Sequence, residues 1–173
     1  MKKLVCLFLA SVAMVGCQPS SQPTPEPAKD DAAKIAYEKN LAAIKAAVKA
    51  FENENLEEFA TYVSDSVAYY PASYGSKKST KEEWINLLGF FTSEFDSIRL
   101  AQPIFLPGID SATHVPDGSV RYYGSWVSRH KSGVKTAVAF YAVYEFDENN
   151  KVIFAQDFFD VGGLLNAVAP KKK

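Results

Sequence analysis

The sequence predicts an α+β domain, and three observations carry that reading. Apolar residues first recur at spacings of three and four, as on one face of a helix. From about residue 97 onward the period shifts to two, with β-branched and aromatic residues predominating. The two kinds of pattern are segregated along the chain, the arrangement in which helices cover one face of an antiparallel sheet.

The elements follow in order. Asp31 stands where a first helix would be capped, and Tyr37, Leu41, Ile44, Val48 and Phe51 form its apolar stripe. Asn55 with Glu58 makes a capping-box-like start for a short second helix carrying Leu56, Phe59 and Val63. A strand over Val67–Tyr70 ends at Pro71, and PASYGSKK reads as a loop. Thr80 with Glu83 caps a third helix whose stripe is Trp84, Leu87, Leu88, Phe91 and Phe95. SIRLAQPIFL, SVRYYGSWVSRH, VKTAVAFYAVYEF and KVIFAQDFFD then read as strands. HVPDG breaks the chain before the second of these, and DENN at Asp147–Asn150 turns it before the last. VGGLLNAV forms a final helical turn after Asp160.

Ahead of the domain, MKKLVCLFLASVAMVGC joins two lysines, a short apolar run and small residues ending at Cys17. Roughly 20 apolar residues are needed to span a bilayer, so the run reads as a secretory signal. Its end, Val15-Gly16-Cys17, resembles the bacterial lipoprotein signal, with Met14 where Leu is commonest. The resemblance implies cleavage after residue 16 and acylation of Cys17, whose two or more chains would anchor it stably in a lipid bilayer. Gln18 in place of Asp implies the outer membrane of a bacterial cell envelope, with the domain in the periplasm. QPSSQPTPEPAKDD, without a large apolar residue, reads as a tether. The expected organisation is a signal over 1–16, a tether over 17–30 with lipidated Cys17, a domain over 31–168 and a basic tail over 169–173.

Composition narrows the chemistry. A net charge of −1 and a pI near 6.1 give no general electrostatic reason to bind nucleic acid. No cysteine follows Cys17, which excludes disulfides, cysteine metal sites and thiol nucleophiles from the domain. His114 and His130 have no ligand-spaced partners, and no GxGxxG, GxxxxGK[ST] or GxSxG pattern occurs. Neither a metal nor a cofactor is expected.

Three stretches, DSVAYYP, GSWVSRHKSG and KVIFAQDFFDVGGLL, are similar in order and spacing to landmarks of the nuclear transport factor 2-like superfamily. The likeness is strongest to its SnoaL-like polyketide cyclases and covers roughly residues 33 to 166. It implies a curved antiparallel sheet wrapped against three helices into a cone around an apolar pocket, with pairing into a homodimer through the sheet. Site residues transfer only one at a time. Ketosteroid isomerases carry a general-base Asp where Tyr70 stands and an oxyanion-donating Tyr where Ala47 stands, so that chemistry, which needs both, is excluded. Limonene epoxide hydrolase carries an acid matching Asp157. Its Arg and Asp fall at Tyr123 and Ser125, and its water-positioning Tyr and Asn fall near Val67 and Tyr69.

Asp157 and Asp160 are three positions apart on a strand, so they point to opposite faces and cannot form a side-by-side dyad. Asp160 reads as the cap of the last helical turn. Asp157 is the single candidate catalytic residue. Its alternatives are ligand contact, or a structural acid satisfied by Arg121, Arg129, a tyrosine or backbone, or lying at a wet dimer interface. The candidate pocket set is Tyr69, Tyr70, Trp84, Tyr123 and Asp157. The expected function is binding of a small apolar or aromatic molecule without established catalysis. The alternatives are a SnoaL-like cyclase, isomerase or hydrolase with Asp157 as general base, and a non-catalytic dimerising module.

Overall fold

The computed structural model describes residues 29–170. The signal, Cys17, nearly all of the tether and the Lys171–Lys173 end of the tail lie outside the described residues. The elements run α1 (Lys29–Glu52), α2 (Leu56–Thr61), β1 (Val63–Tyr70), α3 (Lys81–Glu94), β2 (Phe95–Ile109), β3 (Pro116–His130), β4 (Lys135–Phe146), β5 (Val152–Phe158) and α4 (Val161–Val168).

Local side-chain chemistry sets most of the helix starts. The Thr80 hydroxyl accepts from the Glu83 N–H while the Glu83 carboxylate accepts from the Thr80 N–H, a reciprocal box that starts α3. Asn55 Oδ1 accepts from the Glu58 N–H at 3.1 Å to start α2. Asp31 does not cap α1: the helix already runs from Lys29, so Asp31 lies in its first turn, where an acid suits the positive end of the helix.

The five strands form one sheet in the order β1-β5-β4-β3-β2. β2 to β5 are an antiparallel meander, but β1 lies parallel beside β5, so the sheet is mixed. A parallel pair needs a long crossover, and α3 with the meander supplies it. β1 also begins earlier than its Val67 start in the sequence reading: Val63 pairs with Val152 and is 1% exposed, at the base of the sheet instead of on α2.

Curvature comes from β2. Ser97 and Gln102 take left-handed φ values of 55° and 52°, each beside a register shift against β3. Such bulges bend a strand and increase its twist. The concave face so formed carries Val120, Tyr122, Ala142, Tyr144 and Ala155, against which α1 packs Ile44, Ala47 and Phe51. Asn40 ties α1 to the start of β3 by donating to the Gly118 carbonyl at 2.9 Å. Gly118 has φ +81°, and a Cβ there would lie 3.0 Å from that of Ala36, so the approach requires glycine.

Candidate functional site

Between the concave face and helices α1, α3 and α4 lies a cavity of about 200 Å³. Its wall is almost wholly apolar and aromatic, with contributions from Phe51, Trp84, Phe91, Trp126 and Phe140. Ser73 also lines it, and two further polar points interrupt the wall. One is the pair Ser128 and Thr136, directly opposite on β3 and β4, with hydroxyl oxygens 2.8 Å apart. The other is Asp157.

Strand register explains how Asp157 is held. On β5, Ala155 lies between Tyr69 of β1 and Tyr144 of β4, its partners on either side. Ala155 is fully buried and small, so the two rings flank it without collision. Asp157 is the next residue on the same face, within diagonal reach of both neighbours. Tyr69 Oη donates to Asp157 Oδ2 at 2.7 Å, and Tyr144 Oη donates to Oδ1 at 3.5 Å. The first is a short bond to a carboxylate; the second is at the edge of hydrogen-bonding distance.

The rings are held in turn by one another. Trp84 stacks on Tyr69 with centroids 4.4 Å apart and lies near-parallel to Tyr144 at 6.3 Å, while Phe59 meets its edge at 5.4 Å. Tyr122 stacks between Tyr144 and Phe140 at 5.7 and 5.3 Å.

Burial dominates the electrostatics. Desolvation pushes the Asp157 carboxyl up from its ordinary 3.8 to about 7, against the opposing pull of the Tyr69 and Tyr144 hydrogen bonds. The Tyr69 phenol is pushed well up by burial first, then by the Asp157 charge and the bond to it. Tyr122 and Tyr144 are raised too, chiefly by burial. The three phenols therefore stay protonated wherever Asp157 titrates. A carboxyl with such a midpoint can accept a proton, or hold a donor, near neutrality.

Of the five pocket candidates, Tyr69, Trp84 and Asp157 line the cavity. Tyr70 and Tyr123 do not, and this corrects the set. Tyr70, one residue after the inward Tyr69, lies on the opposite face against Phe154 at 5.7 Å. Tyr123 is 43% exposed on the outer face, stacked on Tyr141, which stacks on Phe158. Ser125 shares its parity, so the β3 positions matched to the epoxide hydrolase pair both point away from the cavity. Tyr122, Trp126 and Tyr144 belong to the site and were missing from the set. Strand alternation pairs Tyr122 with Trp126 and separates both from Tyr123, a signal present in the sequence, although it does not say which face is inward.

Asp160 Oδ1 accepts the Gly163 N–H at 2.7 Å and caps α4. His130 packs on Phe95 and contacts Ser132 and Glu94, while His114 is exposed in a loop. Among the described residues no three His, Cys, Asp or Glu side chains cluster as metal ligands.

No protein-family model matches the chain, and no curated protein sequence does. Solved structures do. A candidate polyketide cyclase from Xanthomonas campestris superposes with a TM-score of 0.63 at 9% identity, covering 78% of this chain and 99% of its own. A nuclear transport factor 2-like protein of unknown function from Burkholderia pseudomallei gives 0.61 at 16% identity, over 76% and 98%. An epoxide hydrolase of the limonene type from M. tuberculosis gives 0.54 at 16% identity, over 76% and 90%. Sequence identities this low speak for architecture alone, and on that evidence the chain has the nuclear transport factor 2-like fold.

Proposed function

We propose that this is a lipid-anchored protein of a bacterial envelope whose domain holds a small apolar or aromatic molecule in its cavity. The observation that carries this reading is an aromatic-walled cavity of about 200 Å³ with one buried carboxyl at its wall. For scale, a dry cavity of about 150 Å³ accepts benzene. The occupant is therefore a single ring, or an alkyl group of similar bulk, with one polar group at Asp157. Native mass spectrometry of the full protein released from membranes tests this: one small non-covalent adduct per chain is expected. A clean mass, together with no binding of single-ring compounds at millimolar concentration, would overturn it. The same spectrum reads the assembly, for which we propose a homodimer on the strength of the exposed Tyr123–Tyr141–Phe158 ladder. Large exposed apolar patches mark interfaces.

The anchor rests on the sequence around Cys17. Cells fed an alkyne-tagged palmitate analogue should label the protein, and Cys17→Ala should abolish the label completely. Undiminished label on the variant would put the acyl chains elsewhere.

One observation favours a catalytic alternative. An Asp157 carboxyl titrating at about 7, with Tyr69 Oη at 2.7 Å, pairs a usable base with a hydrogen-bond donor. On that reading the domain is a SnoaL-like cyclase, isomerase or hydrolase, and Asp157→Asn would remove turnover while leaving binding intact.

A further inference from the structure

We infer that the molecule held in the cavity is an organic cation, a small monobasic amine whose ammonium group sits on Asp157. The inference rests on the ligand-binding reading above and specifies it. Its starting point is the company that Asp157 keeps. Both of its donors are uncharged phenols, Tyr69 and Tyr144. No Lys, Arg or His lines the cavity among the described residues. The ion pairs among those residues, Lys49–Glu52, Lys81–Asp65, His130–Glu94 and Lys131–Glu94, involve other groups. Arg121 instead contacts the Ser119 hydroxyl.

Burying a carboxylate without a cation costs several kcal/mol, and proteins pair such groups or protonate them. Among the described residues the fold provides no cation there, so either a proton or the occupant must. Acceptor capacity remains for the occupant: each carboxylate oxygen has two lone-pair sites, and the Tyr144 bond to Oδ1 is long at 3.5 Å. A metal ion does not suit the site. Hard cations take six or more oxygen ligands, carboxylates foremost, whereas the cavity offers a single carboxylate, with phenols and the Ser73, Ser128 and Thr136 hydroxyls as its other side-chain oxygens. An ammonium group on an apolar body suits it: the body fills the aromatic chamber, and the charge, with its N–H donors, meets the carboxylate that replaces part of its hydration. The volume limits that body to about one ring.

The groups facing Asp157 are Tyr69 on β1, Tyr122 on β3 and Tyr144 on β4, with uncharged Trp84 across from α3. All three phenols stay neutral between pH 5 and 9, so the charge that selects the ligand is that of Asp157 alone.

The test compares benzylamine with benzyl alcohol, near-equal in shape, by calorimetry on the full acylated protein in lipid nanodiscs. At pH 8 benzylamine should bind at least tenfold more tightly, and the preference should shrink at pH 5.5. In Asp157→Asn, which keeps the shape and an acceptor for Tyr69, the preference should vanish. The wild-type ratio and its pH dependence can be read without the variant, so poor folding of that variant leaves the question decidable. Equal or tighter binding of the alcohol sinks the cation inference and leaves the cavity reading standing. Binding of neither probe sinks the cation inference, and together with a clean native mass it sinks the cavity reading as well.

Discussion

Replacing Trp84 with alanine should lower the stability of the domain by about 3–5 kcal/mol, the range for truncating large buried aromatics. Trp84 is 2% exposed and is the hub of the inner aromatic group, against Tyr69 at 4.4 Å, Phe59 at 5.4 Å and Tyr144 at 6.3 Å. Its removal deletes transfer free energy and also three ring contacts. The hole opens into a cavity of about 200 Å³ that cannot collapse, because the sheet and α1 hold its other walls apart. The cost should therefore fall high in the range, a large share of the 5–15 kcal/mol typical of a domain. Urea unfolding followed by circular dichroism measures it. Tyr74→Ala is the control: Tyr74 is fully exposed in the loop after β1 and should cost about 0.5 kcal/mol or less. Equal losses for the two would mean that Trp84 does not occupy the core.

The same contrast separates what could be read in the sequence from what could not. The α3 start was legible because Thr80 and Glu83 are three residues apart and satisfy one another locally. The strands were legible because alternation is a property of each segment alone. The pairing of β1 with β5 was not, since Val63↔Val152 and Tyr69↔Ala155 join residues nearly 90 positions apart with no local signature. The cavity depends on that pairing, because it sets Tyr69 beside Asp157. The inward face of β3 was equally hidden. Tyr122 and Tyr123 are identical residues side by side, and only the curl of β2 around α1 decides which is buried. Parity within β5 separated Asp157 from Asp160, and the match to the epoxide hydrolase acid singled Asp157 out; its two tyrosine partners required the neighbouring strands.

The second large effect is a pH dependence carried by Asp157. Its carboxyl titrates near 3.8 when exposed and at about 7 in the folded domain. Below pH 3.8 both states hold the proton, and the group opposes folding least. As pH rises from 4 toward 7 the unfolded chain releases the proton while the folded domain keeps it, so the unfolded state gains and stability falls. Above pH 7 the folded carboxylate is charged in an apolar wall and the loss is complete. At about 1.4 kcal/mol per pH unit over roughly three units, the loss is about 4 kcal/mol. Other acids act in the opposite direction: Lys81 holds Asp65 below its ordinary range, and Thr113 and Ala112 do the same to Asp110. Those contributions are common to wild type and Asp157→Asn, so they cancel in the difference. The variant should gain about 4 kcal/mol on the wild type between pH 4 and pH 8, read from urea midpoints at each pH. A difference that stays flat would mean that Asp157 keeps its ordinary pKa, hence that water reaches it freely. A cavity wetted to that degree would give an ammonium ligand little reason to leave solvent. The pH profile of the empty domain therefore tests, without any ligand, the condition on which selection of a cation depends.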